Sequence, residues 1–410
     1  MNATTLKVPE ARMELMIENA VMRVTWHIPG RRARLLAGAV LLAAAVGVTA
    51  AVSQSSACAA TIPEQTGALS AGTHFYLDPH SAVAYWDANN ANSPYEPAIN
   101  ARIGAVPAAV WFTTYDPDRI TARVSSVTSA ATAQGAVPVL VLYAIPEVNC
   151  TKNAVGAAPN VADYESWATA FAAGLGGHKV IVIVEPDGLA SQTCLNSQEA
   201  SQRDAAIAFA GRAVHQADAA ARVYFDAGNS AWNPASVQAK RLQAADVVGS
   251  ADGIFSNVSN FRSTADEVAY DKRILADLGN PSSLHIVIDT SRNGNGPGNT
   301  WCDPSGRALG HLPTVDTGSS VVDAYLWIKD PGQADGCAAS AGAFDPALAY
   351  ALIANGPGGA GPYAAKTPTA PPSQLSGAAS TQPSTAPSSS TTNAGDIASA
   401  ADTKAGGCGG

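Results

Sequence analysis

Charge is scarce in this chain. Asp, Glu, Lys and Arg make up 14% of its 410 residues, and the balance is a net charge of −9. With no basic surplus, the chain is a poor candidate for gripping nucleic-acid phosphates. Methionine is absent beyond residue 22, by which point all four copies have occurred. The six Cys form no C-x-x-C pair and the seven His do not cluster with them, so a structural zinc site is not expected. No G-x-S-x-G elbow is present, which removes one serine-hydrolase signature. Gly294-Asn295-Gly296-Pro297-Gly298 lacks the spacing of a dinucleotide-binding turn. Disorder throughout is excluded, because 47% of the residues are hydrophobic.

What charge there is lies unevenly. Residues 1–60 carry six basic and three acidic groups, a net +3 that leaves −12 for the remainder. Arg31, Arg32 and Arg34 precede the 18-residue uncharged run Leu35 to Val52, and Ala57, Ala59 and Ala60 follow. Basic, apolar, then small is the layout of a secretory signal, and a run of this length also suits an uncleaved membrane anchor. Residues 1–60 are therefore read as a signal peptide or N-terminal anchor, and 61–72 as a short linker. The expected location is extracellular, the alternative being the outer face of the cell membrane. At the other end, 361–410 is rich in Ser, Thr, Pro, Ala and Gly, and reads as a disordered tail. Cys58 and Cys408 fall in these flanks, leaving Cys150, Cys194, Cys302 and Cys337 in the body. An even count in an exported domain predicts two disulfides, with three pairings open.

The body, 73–360, alternates strand-like and helix-like stretches. Apolar, β-branched runs occur at Phe75–Leu77, Ala109–Phe112, Val137–Ile145, Val180–Val184, Val223–Phe225, Gly253–Phe255, His285–Ile288 and Ala324–Ile328. Helical patterns fall between them at Asp163 to Leu175, at Ser197 to Ala219, and after a capping box at Thr264-Ala265-Asp266-Glu267. Such alternation predicts an α/β fold: a distorted parallel β/α barrel, TIM-like, of seven or eight strands. Nearly every run ends in a polar cluster. Val184 leads to Glu185-Pro186-Asp187, Phe225 to Asp226, Phe255 to Ser256-Asn257, Ile288 to Asp289, and Ile328 to Lys329 and then Asp335. In a parallel barrel these C-terminal strand ends share the face that holds the active site, so Asp187, Asp226, Asp289 and Asp335 are expected around one cleft. Read singly, each is better taken as a cap at a strand–helix junction; five strands ending this way favour a site.

These motifs resemble glycoside hydrolase family 6. The matching segments, in family order, are Val141-Leu142-Tyr143-Ala144-Ile145-Pro146 up to Cys150, and Ile181 to Ala190 with its Glu185-Pro186-Asp187. Asp226-Ala227-Gly228 with Trp232, Asn257-Val258-Ser259-Asn260 and Ser291-Arg292-Asn293-Gly294 follow. Trp301-Cys302, and Trp327-Ile328-Lys329 with Asp335-Gly336, complete the set. The resemblance implies a secreted inverting cellulase, endoglucanase or cellobiohydrolase, that needs no cofactor or metal. Asp187 matches the general acid, Asp335 the base acting through water, Asp226 a supporting carboxylate, and Tyr143 the residue crowding the cleavage subsite. Trp111, Trp232 and Trp301 match sugar-stacking platforms, and Asn229, Asn260, Lys329 and Gln333 hydroxyl-binding positions. The family also pairs Cys150 with Cys194 and Cys302 with Cys337. The implied partner is a β-glucan or cello-oligosaccharide, bound by a monomer without nucleic acid, and with a membrane only through the N-terminal anchor. The short segments Val148 to Val161 and Thr290 to Pro313 favour an open cleft and endo action.

The chain also departs from the pattern. The family's P-x-R-D-C reads Pro146-Glu147-Val148-Asn149-Cys150, so Val148 and Asn149 replace Arg and Asp. Asn229 stands for His and Gln333 for Glu, while Asp330 is an added acid expected to pair with Lys329. Asn149 sits where the family has an Asp beside the acid, and its neutral side chain is expected to lower the pKa of Asp187. These changes predict weakened or re-tuned hydrolysis. The alternative is a carbohydrate-binding pseudoenzyme on a cellulase-like barrel.

Overall fold

The computed structural model describes residues 69–147, 150 and 154–359. The expected leader 1–60, the tail 361–410, and both Val148 and Asn149 lie outside the described residues.

Seven strands form one sheet among the described residues: β1 (Val110–Phe112), β2 (Val139–Leu142), β3 (Val180–Val184), β4 (Ala221–Asp226), β5 (Gly253–Ser256), β6 (His285–Asp289) and β7 (Val322–Leu326). They lie in sequence order and every neighbouring pair is parallel. Helices α1 (Ala82–Asn89) and α2 (Glu96–Ile99) precede β1. After β1, β2 and β3 come α3 (Ile120–Ala133), α4 (Val161–Ala173) and α5 (Ser197–Ala217). Both α6 (Ala235–Ala244) and the short α7 (Val247–Ser250) follow β4, α8 (Thr264–Asp277) follows β5, and α9 (Pro346–Ala354) follows β7.

The strand sequences dictate this layering. β3 reads Val-Ile-Val-Ile-Val and is buried on both faces. Val180, Val182 and Val184 pack outward with Trp167, Phe171 and Ile207 of the helices. Ile181 and Ile183 point the other way, into a second core with Val141, Tyr224, Phe255 and Val287. Period-two splitting of an all-apolar strand is what a covered parallel sheet requires. Each such side chain contributes about 1.5–3 kcal/mol on burial. The sheet curls until β7 approaches β1. There the Ala109 N–H donates to Trp327 O at 2.9 Å, and Trp111 Nε1 donates to Ile328 O at 2.7 Å. Trp327, buried at this seam, packs with Ala98, Ile99, Ile103, Ala349 and Ile353.

Two expectations need correction. Phe75–Leu77 makes only a single bridge, Phe75 to Val137, and adds no eighth strand. Pro79 follows almost at once, and Ser81 then caps α1. The cap of α8 is Ser263, one residue before the expected box: its hydroxyl accepts from Asp266 N. A full capping box does occur, but at α5, between Asn196 and Glu199.

Candidate active site

The loops leaving β2, β3 and β5 are tightly wound. Among the described residues, nine non-glycine residues have positive φ, and six of them are Glu147, Cys150, Glu185, Asp187, Asn257 and Ser259 on these loops. Such a conformation costs on the order of 1–3 kcal/mol per residue and persists only where the surroundings enforce it.

Strand-end carboxyls do the enforcing. Asp226, 2% exposed at the end of β4, accepts from Leu189 N (3.1 Å) and Ala190 N (2.8 Å) of the neighbouring loop, and from Gly228 N (2.9 Å). Burial raises its carboxyl to about 6, against the pull of those amides. Glu185, fully buried after β3, takes Ala144 N at 2.9 Å beyond the end of β2. Its carboxyl is pushed up to about 8 by burial, partly offset by the Ala144 and Ile145 amides, Tyr164 and Arg203. Asp289, at the end of β6, takes Lys329 N beyond β7 (2.9 Å) and Ser291 N (2.9 Å). Asp226 and Asp289 are thus committed to neighbouring backbone, the junction reading of these positions. At Gly228, with φ 69°, a Cβ would lie 2.8 Å from Ala190 Cβ and 3.4 Å from the Trp232 ring, so the turn under Trp232 needs glycine.

Asp187 stands on the β3 loop, half-buried, at φ 68°, and its carbonyl accepts Ser191 N at 2.8 Å. Asp335 is 6% exposed and surrounded by positive charge. Arg292 Nη1 lies 3.0 Å from each of its oxygens, and Lys329 Nζ lies 3.8 Å from Oδ1. The Asp303 N–H adds a bond at 3.2 Å, and Asp303 Oδ1 accepts Asp335 N at 2.7 Å in return. Burial alone would raise the Asp303 carboxyl, but the amides of Ala338, Asp335 and Cys337 hold it below the usual carboxylate range. Arg292 is fixed from behind by Ser259 O at 2.7 Å and by the Phe261 ring at 4.3 Å. Lys329 therefore faces Asp335 rather than the added acid Asp330. Asp330 instead accepts from Gln333 Nε2 at 2.7 Å, and burial pushes its carboxyl up to about 7 against the pull of Lys329.

The aromatic positions are partly open. Trp111 meets Tyr143 edge to face at 5.5 Å, and Trp232 and Trp301 are each half-buried. Asn229 and Asn260 serve their own loops: Asn229 Oδ1 accepts Ala231 N, and Asn260 Nδ2 donates to Val258 O. Disulfides join Cys150 to Cys194 and Cys302 to Cys337, the first linking the β2 and β3 loops, the second linking the β6 loop, next to Trp301 in sequence, to the β7 loop. Sequence reading passed over Glu185, Arg203, Arg292 and Asp303 as site residues. Arg292 and Glu185 stand inside the quoted motifs. Arg203 and Asp303 carry no local signal.

Comparison with known proteins gives the family. The model of the glycosyl hydrolases family 6 matches residues 70–367. Endoglucanase A of Thermobispora bispora is 47% identical over 283 residues, covering 68% of this chain and 62% of that protein. The chain therefore spans less than two thirds of that relative. Endoglucanase 1 of Streptomyces sp. (strain KSM-9) is 46% identical, covering 69% and 76% respectively. Among solved structures, an endoglucanase from Mycobacterium tuberculosis in complex with methyl-cellobiosyl-4-deoxy-4-thio-β-D-cellobioside superposes with a TM-score of 0.64 at 39% identity, covering 70% of this chain and 98% of that one. With the curled parallel sheet and the ordered strand-end motifs, these matches establish that the chain belongs to glycosyl hydrolases family 6.

Proposed function

We propose that this protein cleaves β-1,4-glucosidic bonds of cellulose or a related β-glucan, in endo fashion and with inversion at the anomeric carbon. Inversion needs one carboxyl that carries a proton and one carboxylate that activates water on the opposite face. Asp335 is the carboxylate: Arg292 Nη1 lies 3.0 Å from both of its oxygens and Lys329 Nζ lies 3.8 Å from Oδ1. This arrangement is the observation that carries the reading. Asp187, half-buried on its raised turn, is the acid that protonates the leaving oxygen. Asp226 acts on Asp187 through the loop, by bonding the amides just beyond it. Tyr143 and Trp111 form an aromatic corner for a sugar ring, with Trp232 and Trp301 as further stacking faces and Asn229, Asn260, Lys329 and Gln333 as hydroxyl partners. Val148 and Asn149, in place of the family's Arg and Asp, re-tune the acid. The basic and apolar leader supports export.

The test is a product analysis on soluble β-glucan and a cello-oligosaccharide. Release of the α-anomer first, with viscosity falling faster than reducing ends accumulate, is the expected result, and Asp187→Asn abolishes it. The β-anomer first overturns inversion. Binding without release, unchanged in Asp187→Asn, makes the protein a carbohydrate-binding module on a hydrolase fold.

A further inference from the structure

Arg203 sits on α5, outside the motif segments, yet only 4% of it is exposed. No carboxylate pairs with it directly among the described residues. Its donors go to backbone carbonyls instead. Nη2 donates to Pro146 O at 2.9 Å and to Glu147 O at 2.7 Å, on the loop beyond β2. Nη1 donates to Ser191 O at 3.2 Å, on the loop beyond β3. Ser191 in turn bonds the Asp187 carbonyl through its own N–H. One guanidinium thus bridges the segment that follows Tyr143 and the turn that carries Asp187. It also holds the carbonyl of Glu147, whose φ of 56° requires external support. Cys150–Cys194 ties the same two loops further out. The planar fork of Arg fixes the separation of these loops by direction as well as distance. Burying a cation is costly, and here three hydrogen bonds to carbonyls offset that cost. Burial works against the charged guanidinium, and the acids Glu185, Glu147, Asp204 and Glu199 around it partly offset that.

We propose that Arg203 is a positioning residue for proton donation by Asp187: it sets the spacing between the Tyr143–Glu147 segment and the Asp187–Ser191 turn. The inference rests on Asp187 being the acid. A misplacement of about 1 Å costs about 100-fold in rate. Arg203→Ala is therefore expected to lower kcat by about 10- to 100-fold on soluble β-glucan, with KM changed less than about twofold. Guanidinium chloride at low millimolar concentration restores part of kcat to Arg203→Ala and none to the parent. Arg203→Lys, which keeps the charge but not the fork, falls between. Unchanged kcat in Arg203→Ala overturns the proposal. If Arg203→Ala does not fold, Arg203→Lys decides: a folded Arg203→Lys with parental kcat refutes the role. Asp187→Asn alone judges the acid assignment, so the two ideas fail separately.

Discussion

Replacing Glu185 by Gln probes the buried carboxyl that braces the β2 loop. Glu185 is fully buried, and burial lifts its pKa from the ordinary 4.5 to about 8. The folded protein therefore retains this proton at pH values where the unfolded chain has released it. Between those two values the folded state binds more protons, so stability falls as pH rises, by up to about 1.4 kcal/mol per pH unit. Over the whole window, from 4.5 to about 8, the loss is on the order of 5 kcal/mol. The carboxamide of Glu185→Gln imitates the protonated acid. Its oxygen still accepts the Ala144 N–H, and its amide carries no charge into the core at any of these pH values. The variant is expected to match the parent near pH 4.5 and to exceed its unfolding free energy by several kcal/mol at pH 8. Urea unfolding followed by tryptophan fluorescence at pH 5, 6, 7 and 8 measures this directly. Parallel stability profiles for parent and variant would refute the reasoning, because the titrating group would then lie elsewhere.

Other perturbations separate support from chemistry. Asp226→Asn turns one acceptor oxygen towards amide donors as an NH2 group, and is expected to cost about 2–4 kcal/mol as well as activity. Lost activity with an unchanged melting temperature would make Asp226 a direct participant. Asp335→Asn leaves Arg292, 4% exposed, without its carboxylate, and should cost about 3–5 kcal/mol along with all measurable turnover. Retained hydrolysis would remove Asp335 from the base role. Opening Cys302–Cys337 by a double change to Ser frees a 35-residue span and should lower unfolding free energy by about 4 kcal/mol, read from denaturant midpoints. Asn149→Asp restores the family's acid beside Asp187 and should speed hydrolysis while moving the pH–rate optimum towards neutral. An unmoved and unaccelerated profile would discard that account.

The sheet was legible because its residues obey one local rule. Alternate side chains of Val180–Val184 go to opposite cores, and a run of that kind between helical patterns admits few architectures. Phe75–Leu77 obeys the same rule over three residues but stops at Asp78-Pro79, too short to pair further. At the site, the polar strand ends were visible and the family resemblance gave Asp187, Asp226 and Asp335 their expected roles, whereas the partners that hold each carboxyl were not. Asp226, Asp289 and Asp335 look alike in sequence, and only the fold shows that two serve amides and the third faces Arg292. Arg203 was invisible because its partners Pro146 and Glu147 lie 57 and 56 positions away. An arginine on an Ala-rich helix resembles any solvated one until its neighbours are known.

The strand-end carboxyls have a consequence for remodelling this rim. Three loops are held from next door: Glu185 supports the turn after β2, Asp226 the turn after β3, and Asp289 the turn after β7. The rim is built like an arcade, in which every arch leans on the adjoining pier. A loop transplanted alone from a relative arrives without its buttress and sags. Grafts that carry the recipient loop together with the acidic strand end beside it should keep their shape, so the natural unit of exchange on this face is a pair of adjacent strands.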